Sequence, residues 1–139
     1  MTNIDDFFKD RKLRKIAPDV DKSDQSVKIS ENKLGEAKKL FDAEFYSQTI
    51  LSAYTSMFHI ARALLYKKGV QEKSHYAVYF YLKEKHAKHL SADLLGAFLN
   101  HQNERKEILY GFSYNATKEE AESCIEDAEL FLAKIREIL

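Results

Sequence analysis

The segment from Phe45 to Lys68 constrains the fold most, because it carries apolar side chains at helical spacing with no glycine or proline to break the pattern. A wide apolar stripe at i, i+3 and i+4 intervals is typical of a helix that faces a protein core. The stripe consists of Ile50, Ala53, Tyr54, Met57, Phe58, Ala61, Leu64 and Leu65. We therefore expect a long central helix with neighbours packed around it, ending at Gly69.

Helical patterns also dominate the rest of the chain, which has only four glycines and one proline and no Asn-Gly or Asp-Gly hairpin signal. The short links between the last four helices predict an all-α, antiparallel bundle of four to five helices. A polar connection is expected over Asp19–Gln25, and the second helix after it is expected to turn Ile29, Leu34 and Ala37 inward. The other predicted helices span Asp5–Ile16, Ser26–Ala43, Ser74–His86, Ser91–Tyr110 and Thr117–Leu139.

The length of 139 residues predicts a single domain with its own core. We assign residues 1–22 to an accessory N-terminal helix and linker and residues 23–139 to the bundle, whose apolar stripes can pair without the first helix. Eight tyrosines and nine phenylalanines exceed what five short helices easily bury. Since Tyr76 and Phe80 are expected to be exposed, the sequence predicts a homodimer.

The chain has 22 basic and 22 acidic residues, and this balance argues against electrostatic binding of nucleic acid by the domain as a whole. Lys9–Lys15 holds five bases and one acid, while Glu119–Glu137 holds seven acids and two bases. Either run is explained by a solvated helix face, and the basic run also by an arm that touches RNA or an acidic partner. The single cysteine and the absence of a signal-like or membrane-spanning run favour a cytoplasmic protein.

Two helices carry polar residues that suit phosphate chemistry. On the central helix, His59 and Arg62 lie on a second stripe beside the apolar one. On the fifth helix, His101 and Arg105 share a face at i, i+4 spacing. Imidazole transfers protons near neutral pH and guanidinium binds phosphate through two hydrogen bonds, although solvated residues at a helix rim give the same pattern.

Metal and cofactor sites have little support in the sequence. His86 and His89 are three residues apart, but neighbouring lysines oppose a cation there. Glycine-rich phosphate loops are absent, and Cys124 lies on an apolar helix face, where a structural thiol is expected. We expect no metal and no cofactor.

Several short patterns follow one another along the chain. The patterns are an Ala-Tyr-x-x-Met-Phe core helix ending in Arg-Ala-Leu-Leu, a Ser-His pair that opens the next helix, an arginine leading to a tyrosine, and a Glu-Glu-Ala start to a closing helix with Ala-x-x-Phe. These patterns fall on Ala53, Tyr54, Met57, Phe58, Arg62, Ala63, Leu64, Leu65, Ser74, His75, Arg105, Tyr110, Glu119, Glu120, Ala121, Ala128 and Phe131. Their order and spacing resemble the HEPN domain family, the higher eukaryote and prokaryote nucleotide-binding domain.

The resemblance implies a helical bundle, frequent homodimers, and a role in RNA or nucleotide handling, often beside a small nucleotidyltransferase in a toxin and antitoxin arrangement. Catalytic members of the family are metal-independent endoribonucleases with an Arg-x4-6-His motif. Here Arg105 is present, but Tyr110 occupies the place of the histidine, followed by Gly111 and Phe112. An unperturbed tyrosine, with a pKa near ~10, moves protons poorly at neutral pH, so binding survives this change more readily than catalysis does.

We therefore expect a HEPN-like dimer without strong catalysis that binds nucleotide, RNA or a nucleotidyltransferase. The expected ligand-binding residues are His59, Arg62, His75, Arg105 and Tyr110. A metal-independent ribonuclease that uses Arg105, with Tyr110 or His101 assisting, is one alternative. A helical adaptor with no nucleic-acid role is the other.

Overall fold

A computed structural model describes residues 3–112 and 114–139, and within them the chain forms six helices and one two-stranded antiparallel sheet. The all-α class predicted from the sequence is confirmed. The elements are α1 (Ile4–Lys9), β1 (Leu13–Lys15), α2 (Val20–Asp42), α3 (Tyr46–Lys67), β2 (Val70–Glu72), α4 (His75–Lys85), α5 (Ala92–Tyr110) and α6 (Lys118–Arg136).

Helix α3 lies at the centre of the fold and packs against α2, α5 and α6. Its apolar stripe is buried as predicted except for Phe58, which is half-buried, and Tyr54 has no solvent exposure. The helix ends where Gly69 adopts a φ of 77°. A Cβ there would lie 2.7 Å from the carbonyl oxygen of Ile16, so glycine is required for the chain to turn into β2.

Helices α2 and α3 form a closely packed antiparallel pair, and small polar residues form hydrogen bonds across their contact surface. Ser30 and Ser56 each donate a hydrogen bond of 2.7 Å to the backbone carbonyl of the other. Ser23 binds the carbonyl of Ala63 in the same way, at 2.7 Å. Small side chains let the two backbones approach each other, and Ile29, which we expected to face inward, is 38% exposed on the outer face.

The N-terminal segment differs from the predicted helix over Asp5–Ile16. Helix α1 ends at Lys9, the chain reverses at Arg11 with a φ of 59°, and β1 then pairs with β2. Within β1, Leu13 is buried at 1% exposure, whereas Arg14 and Lys15 after it are exposed.

Helix α1 covers part of α4. The ring of Phe7 stacks on that of Phe80 at a centroid distance of 4.6 Å, which leaves Phe80 only 7% exposed. The prediction that Phe80 is exposed was therefore wrong, whereas Tyr76 is 45% exposed. The predicted polar connection over Asp19–Gln25 is also largely helical, since Asp19 caps α2.

The last three helices begin at the predicted caps. The side chains of Ser74, Ser91 and Thr117 accept backbone hydrogen bonds at the starts of α4, α5 and α6. Thr117 and Glu120 form the reciprocal capping box. Over residues 3–112 and 114–139, no helix combines the length and apolar character needed to cross a membrane.

Candidate phosphate-binding site

The start of α4 meets the middle of α3 and the second half of α5 in a group of hydrogen-bonded polar side chains. The Tyr54 hydroxyl lies 2.8 Å from Nδ1 of His75 and accepts a hydrogen bond of 3.2 Å from Nε2 of Gln102. Tyr54 and Gln102 are buried, whereas the side chain of His75 is only partly covered. We name these three residues, together with Arg62 and Arg105, the His75 cluster.

The imidazole of His75 is held in place on two sides. Its ring stacks on Phe58 at a centroid distance of 4.1 Å, and Nδ1 meets the Tyr54 hydroxyl. Burial lowers the pKa of His75 to about 4, helped by the positive charges of Arg105, Lys106 and Arg62. His75 is therefore a neutral imidazole at physiological pH, in surroundings that are already positive.

Arg62 lies beside the imidazole with part of its charge compensated. Its Nε is 2.5 Å from a carboxylate oxygen of Glu72, and its Nη2 donates a 2.5 Å hydrogen bond to the Tyr66 hydroxyl. The guanidinium carbon also lies 5.2 Å from the centroid of the Tyr66 ring. The side chain remains 26% exposed. Burying a cation costs free energy because the charge loses its hydration. For Arg62 on the central helix, the ion pair and the ring contacts offset that cost.

A small cavity of about 240 Å³ lies beside the imidazole. Its lining includes Phe58, Arg62, Glu72, Lys73 and His75. A neutral imidazole beside Arg62 and Lys73, whose two positive charges exceed the single negative charge of Glu72, suits a phosphate group, which accepts several hydrogen bonds.

His59 lies one turn before Arg62 on the same helix. Burial lowers its pKa to about 4, and the charges of Arg62 and Lys33 act in the same direction. Its Nδ1 is buried without a hydrogen-bond partner among the described residues. His59 therefore lies close to the His75 cluster and is a neutral imidazole at physiological pH.

Arg105 is the member of the cluster contributed by the second half of α5. It is partly exposed, and its charge lowers the pKa of His75. The pKa of Tyr54 is raised to about 12 by burial, while the hydrogen bond from Gln102 and the charge of Arg105 oppose that rise. Arg105 thus acts on two members of the buried network and is open to solvent for a ligand.

His101 lies in a different environment from Arg105, although the two share a helix. It is 3% exposed, its Nδ1 contacts Glu104, and its Nε2 lies 2.7 Å from a carboxylate oxygen of Asp127 on α6. Burial alone would lower the pKa of His101, but the neighbouring Cys124 side chain and hydrogen bonds to Glu104 and Asp127 raise it to about 11. A permanently protonated, enclosed imidazole is unsuited to act as a general base.

Tyr110, which the family resemblance sets in the place of a catalytic histidine, is the last residue of α5. Its side chain is 74% exposed, and Leu109 and Phe112 beside it are 44% and 108% exposed. The structure thus groups His59, Arg62, His75 and Arg105, and leaves Tyr110 on an open apolar edge.

Two members of the cluster were not expected from the sequence as functional residues. Tyr54 was assigned to the apolar stripe, and Gln102 was not singled out. A signal for both does exist, because Gln102 continues the inward positions of Leu94 and Phe98 at i, i+4 spacing. An amide on a buried stripe requires a polar partner, and a tyrosine on the facing helix is a suitable one.

Within residues 3–112 and 114–139, no group of three or more histidine, cysteine, aspartate or glutamate side chains is placed to hold a metal ion.

Comparison with known proteins places this chain in a family. The HEPN domain family model matches residues 23–138. A protein of Methanocaldococcus jannaschii, named a putative toxin, is 30% identical over 121 residues, which covers 81% of this chain and 85% of that protein.

Two further relatives are also similar to this chain over most of their length. A second protein of Methanocaldococcus jannaschii with the same description is 30% identical over 131 residues, covering 93% of this chain and 82% of the relative. A protein of Archaeoglobus fulgidus, named UPF0332 protein, is 28% identical over 118 residues, covering 84% of this chain and 94% of the relative. The chain belongs to the HEPN domain family, as its sequence patterns predicted, and two of its relatives are named as putative toxins.

Proposed function

We propose that this protein is the HEPN-type component of a toxin and antitoxin pair, and that as a homodimer it binds RNA phosphates at the His75 cluster with little cleavage of its own. The observation that carries the proposal is that the positive charges of Arg105 and Arg62 both act on a neutral, hydrogen-bonded His75. Family membership and the names of the relatives support the general role. A small nucleotidyltransferase is the partner that the family resemblance implies.

We favour binding over catalysis because no described candidate side chain is both accessible to RNA and able to exchange a proton readily near neutral pH. The lowered pKa of His75, about 4, makes it a weak base at neutral pH. His101 is enclosed between Glu104 and Asp127. Tyr110 has a phenol where catalytic members have an imidazole.

RNA binding tests the proposal. We expect a fluorescently labelled single-stranded RNA to bind the native protein, and Arg105→Ala to weaken that binding at least about tenfold, since a charge-assisted hydrogen bond contributes about 1.5–3 kcal/mol. Arg136→Ala, on the outer face of α6, is the matched control and should leave the dissociation constant unchanged. Equal affinity of the native protein and Arg105→Ala would remove the cluster as the binding site. Absence of any RNA binding would favour an adaptor role instead.

The homodimer is proposed to form through the apolar edge at the end of α5. Leu109 and Phe112 are exposed there beside Tyr110, and large exposed side chains are typical of interface cores. Light scattering should give about twice the chain mass of 16.2 kDa. Leu109→Ser with Phe112→Ser should shift the species toward the monomer, whereas Leu130→Ser on α6 should not. A 16.2 kDa species of the native protein at every micromolar concentration would contradict the dimer.

A ribonuclease is the second candidate, and one observation favours it. The hydrogen bond between Tyr54 and Nδ1 of His75 fixes the orientation of the neutral imidazole, and the charge of Arg105 acts on the same ring. In that case the native protein would cleave RNA without metal, and His75→Ala would abolish cleavage while RNA binding persisted.

A further inference from the structure

A second basic feature lies beside the His75 cluster, on the N-terminal segment. A groove of about 560 Å³ is lined by Phe8, Arg11, Leu13, Arg14, Lys15 and Lys73. Four of its six lining residues are cations and none is acidic. We name it the N-terminal groove.

The charges of this groove are largely uncompensated. Among the ion pairs of residues 3–112 and 114–139, none involves Arg11, Arg14, Lys15 or Lys73. Arg14 instead donates a hydrogen bond to the Gln71 side chain. Four like charges held around one concave surface raise the local concentration of an anion.

The chain order explains why these cations converge. The strand β1 pairs antiparallel with β2, and the backbone N–H of Lys73 donates a 2.8 Å hydrogen bond to the carbonyl of Lys12. Lys73 is thereby brought next to Arg11 and Arg14, although it lies far from them in sequence. Had residues 5–16 formed one helix, these cations would have been spread around its circumference.

The groove also provides an aromatic surface. The Nζ of Lys15 lies 5.6 Å from the ring centroid of Phe8, which is only partly buried. Aromatic rings with adjacent cations are the elements that bind single-stranded nucleic acid, since bases stack on the ring while the cations follow the phosphates. An acidic protein segment would use the charges but has no need for the ring.

The groove and the His75 cluster are neighbours. Lys73 lines both the N-terminal groove and the small cavity that contains Arg62 and His75. A nucleic-acid strand that follows the groove past Lys73 therefore reaches the imidazole of His75. Arg11, Arg14 and Lys15 all precede residue 23, where the match to the HEPN family begins.

We infer that the N-terminal groove binds the phosphate backbone of single-stranded RNA and leads the strand toward the His75 cluster. This inference deepens the proposed function and rests on it. Guanidinium groups at Arg11 and Arg14 bind phosphate oxygens in pairs, and the ammonium groups of Lys15 and Lys73 add point charges along the path.

The salt dependence of RNA binding tests the inference. We expect Arg11→Gln, Arg14→Gln and Lys15→Gln together to weaken binding of a labelled single-stranded RNA at least about tenfold, and to reduce the slope of log K against log salt by about 2, because each lost phosphate contact contributes about 0.7. The matched control replaces Lys28, Lys39 and Lys118 by glutamine on α2 and α6. It should leave the slope unchanged, as should Arg11→Lys with Arg14→Lys, which keeps the charge.

The outcomes separate the two proposals. If the native protein binds RNA and the groove variant keeps the native slope, the groove inference is overturned while the proposed function stands. If the native protein binds no RNA, the proposed function fails and the inference with it. Tighter, groove-dependent binding of polyglutamate than of RNA would assign the groove to an acidic protein and would also overturn the inference. Circular dichroism confirms that the exposed substitutions leave the fold intact.

Discussion

The hydroxyl of Tyr54 and Nδ1 of His75 are joined by a hydrogen bond of 2.8 Å that links the central helix to the first residue of α4. Gln102 adds a third helix through the same hydroxyl oxygen. One phenol on the predicted apolar stripe therefore fixes the orientation of the imidazole at the candidate site, and its removal affects both stability and binding.

Tyr54→Phe should lower the free energy of unfolding by about 1–3 kcal/mol, because it leaves the buried amide of Gln102 without its partner. Chemical denaturation measures the change. Tyr81→Phe is the matched control, since the buried Tyr81 forms no hydrogen bond through its hydroxyl among the described residues, and it should shift stability by less than about 0.5 kcal/mol. Additive effects of Tyr54→Phe and His75→Ala would show that the two side chains are not coupled.

His101 should make stability depend on pH. Because its pKa is raised from 6.5 to about 11 in the folded protein, its stabilising contribution is fully present below pH 6.5 and is lost as pH rises toward 11. The stability difference between the native protein and His101→Gln should therefore be larger at pH 6 than at pH 9, as measured by urea denaturation at each pH. A difference that grows between those two values would show that His101 is not held protonated by Glu104 and Asp127.

Local signals predicted the helices well where each signal acts within its own segment. Ser74, Ser91 and Thr117 cap their helices because a hydroxyl reaches a backbone N–H two or three residues ahead, a contact that needs no tertiary information. Gly69 ends α3 for a similarly local reason.

The errors come from contacts between distant segments. The strand β1 exists because β2 is there to pair with it, and nothing within Lys9–Lys15 indicates that partner. Likewise, Ile29 is displaced from the interface because serines on α2 find carbonyl partners on α3. At the site, Arg62 and Arg105 were expected from residue type, but their convergence on His75 depends on the packing of three helices.

Removal of the first 18 residues tests the predicted accessory role of the N-terminal segment. A chain that begins at Asp19 keeps the α2 cap and should still melt cooperatively, with a lower free energy of unfolding. The loss should be about 1.5–3 kcal/mol for each of the buried side chains Phe7 and Leu13. The full-length Phe7→Ala and Leu13→Ala variants show how much of the loss is due to those side chains. Absence of a cooperative transition would make the segment an essential part of the core.

Tyr110→His should raise metal-independent ribonuclease activity above that of the native protein, because it supplies a proton-transfer group at the position where catalytic relatives carry one. General acid–base groups contribute typically about 10²- to 10⁴-fold, which sets the upper limit of the gain. Cleavage of a labelled RNA in EDTA measures it. Leu130→His, on the exposed face of α6, is the control and should have no effect, and Tyr110→Phe should leave activity at the native level. A fall in activity for Tyr110→His would show that the phenol itself has a role in the reaction.

The most direct test of the account is to measure binding and integrity of the same single-stranded RNA, in EDTA, with the native protein and with Arg105→Ala. We expect the native protein to retain the RNA intact over the course of the titration, and Arg105→Ala to release it. Rapid cleavage by the native protein that Arg105→Ala abolishes would contradict the account and make this chain a metal-independent ribonuclease.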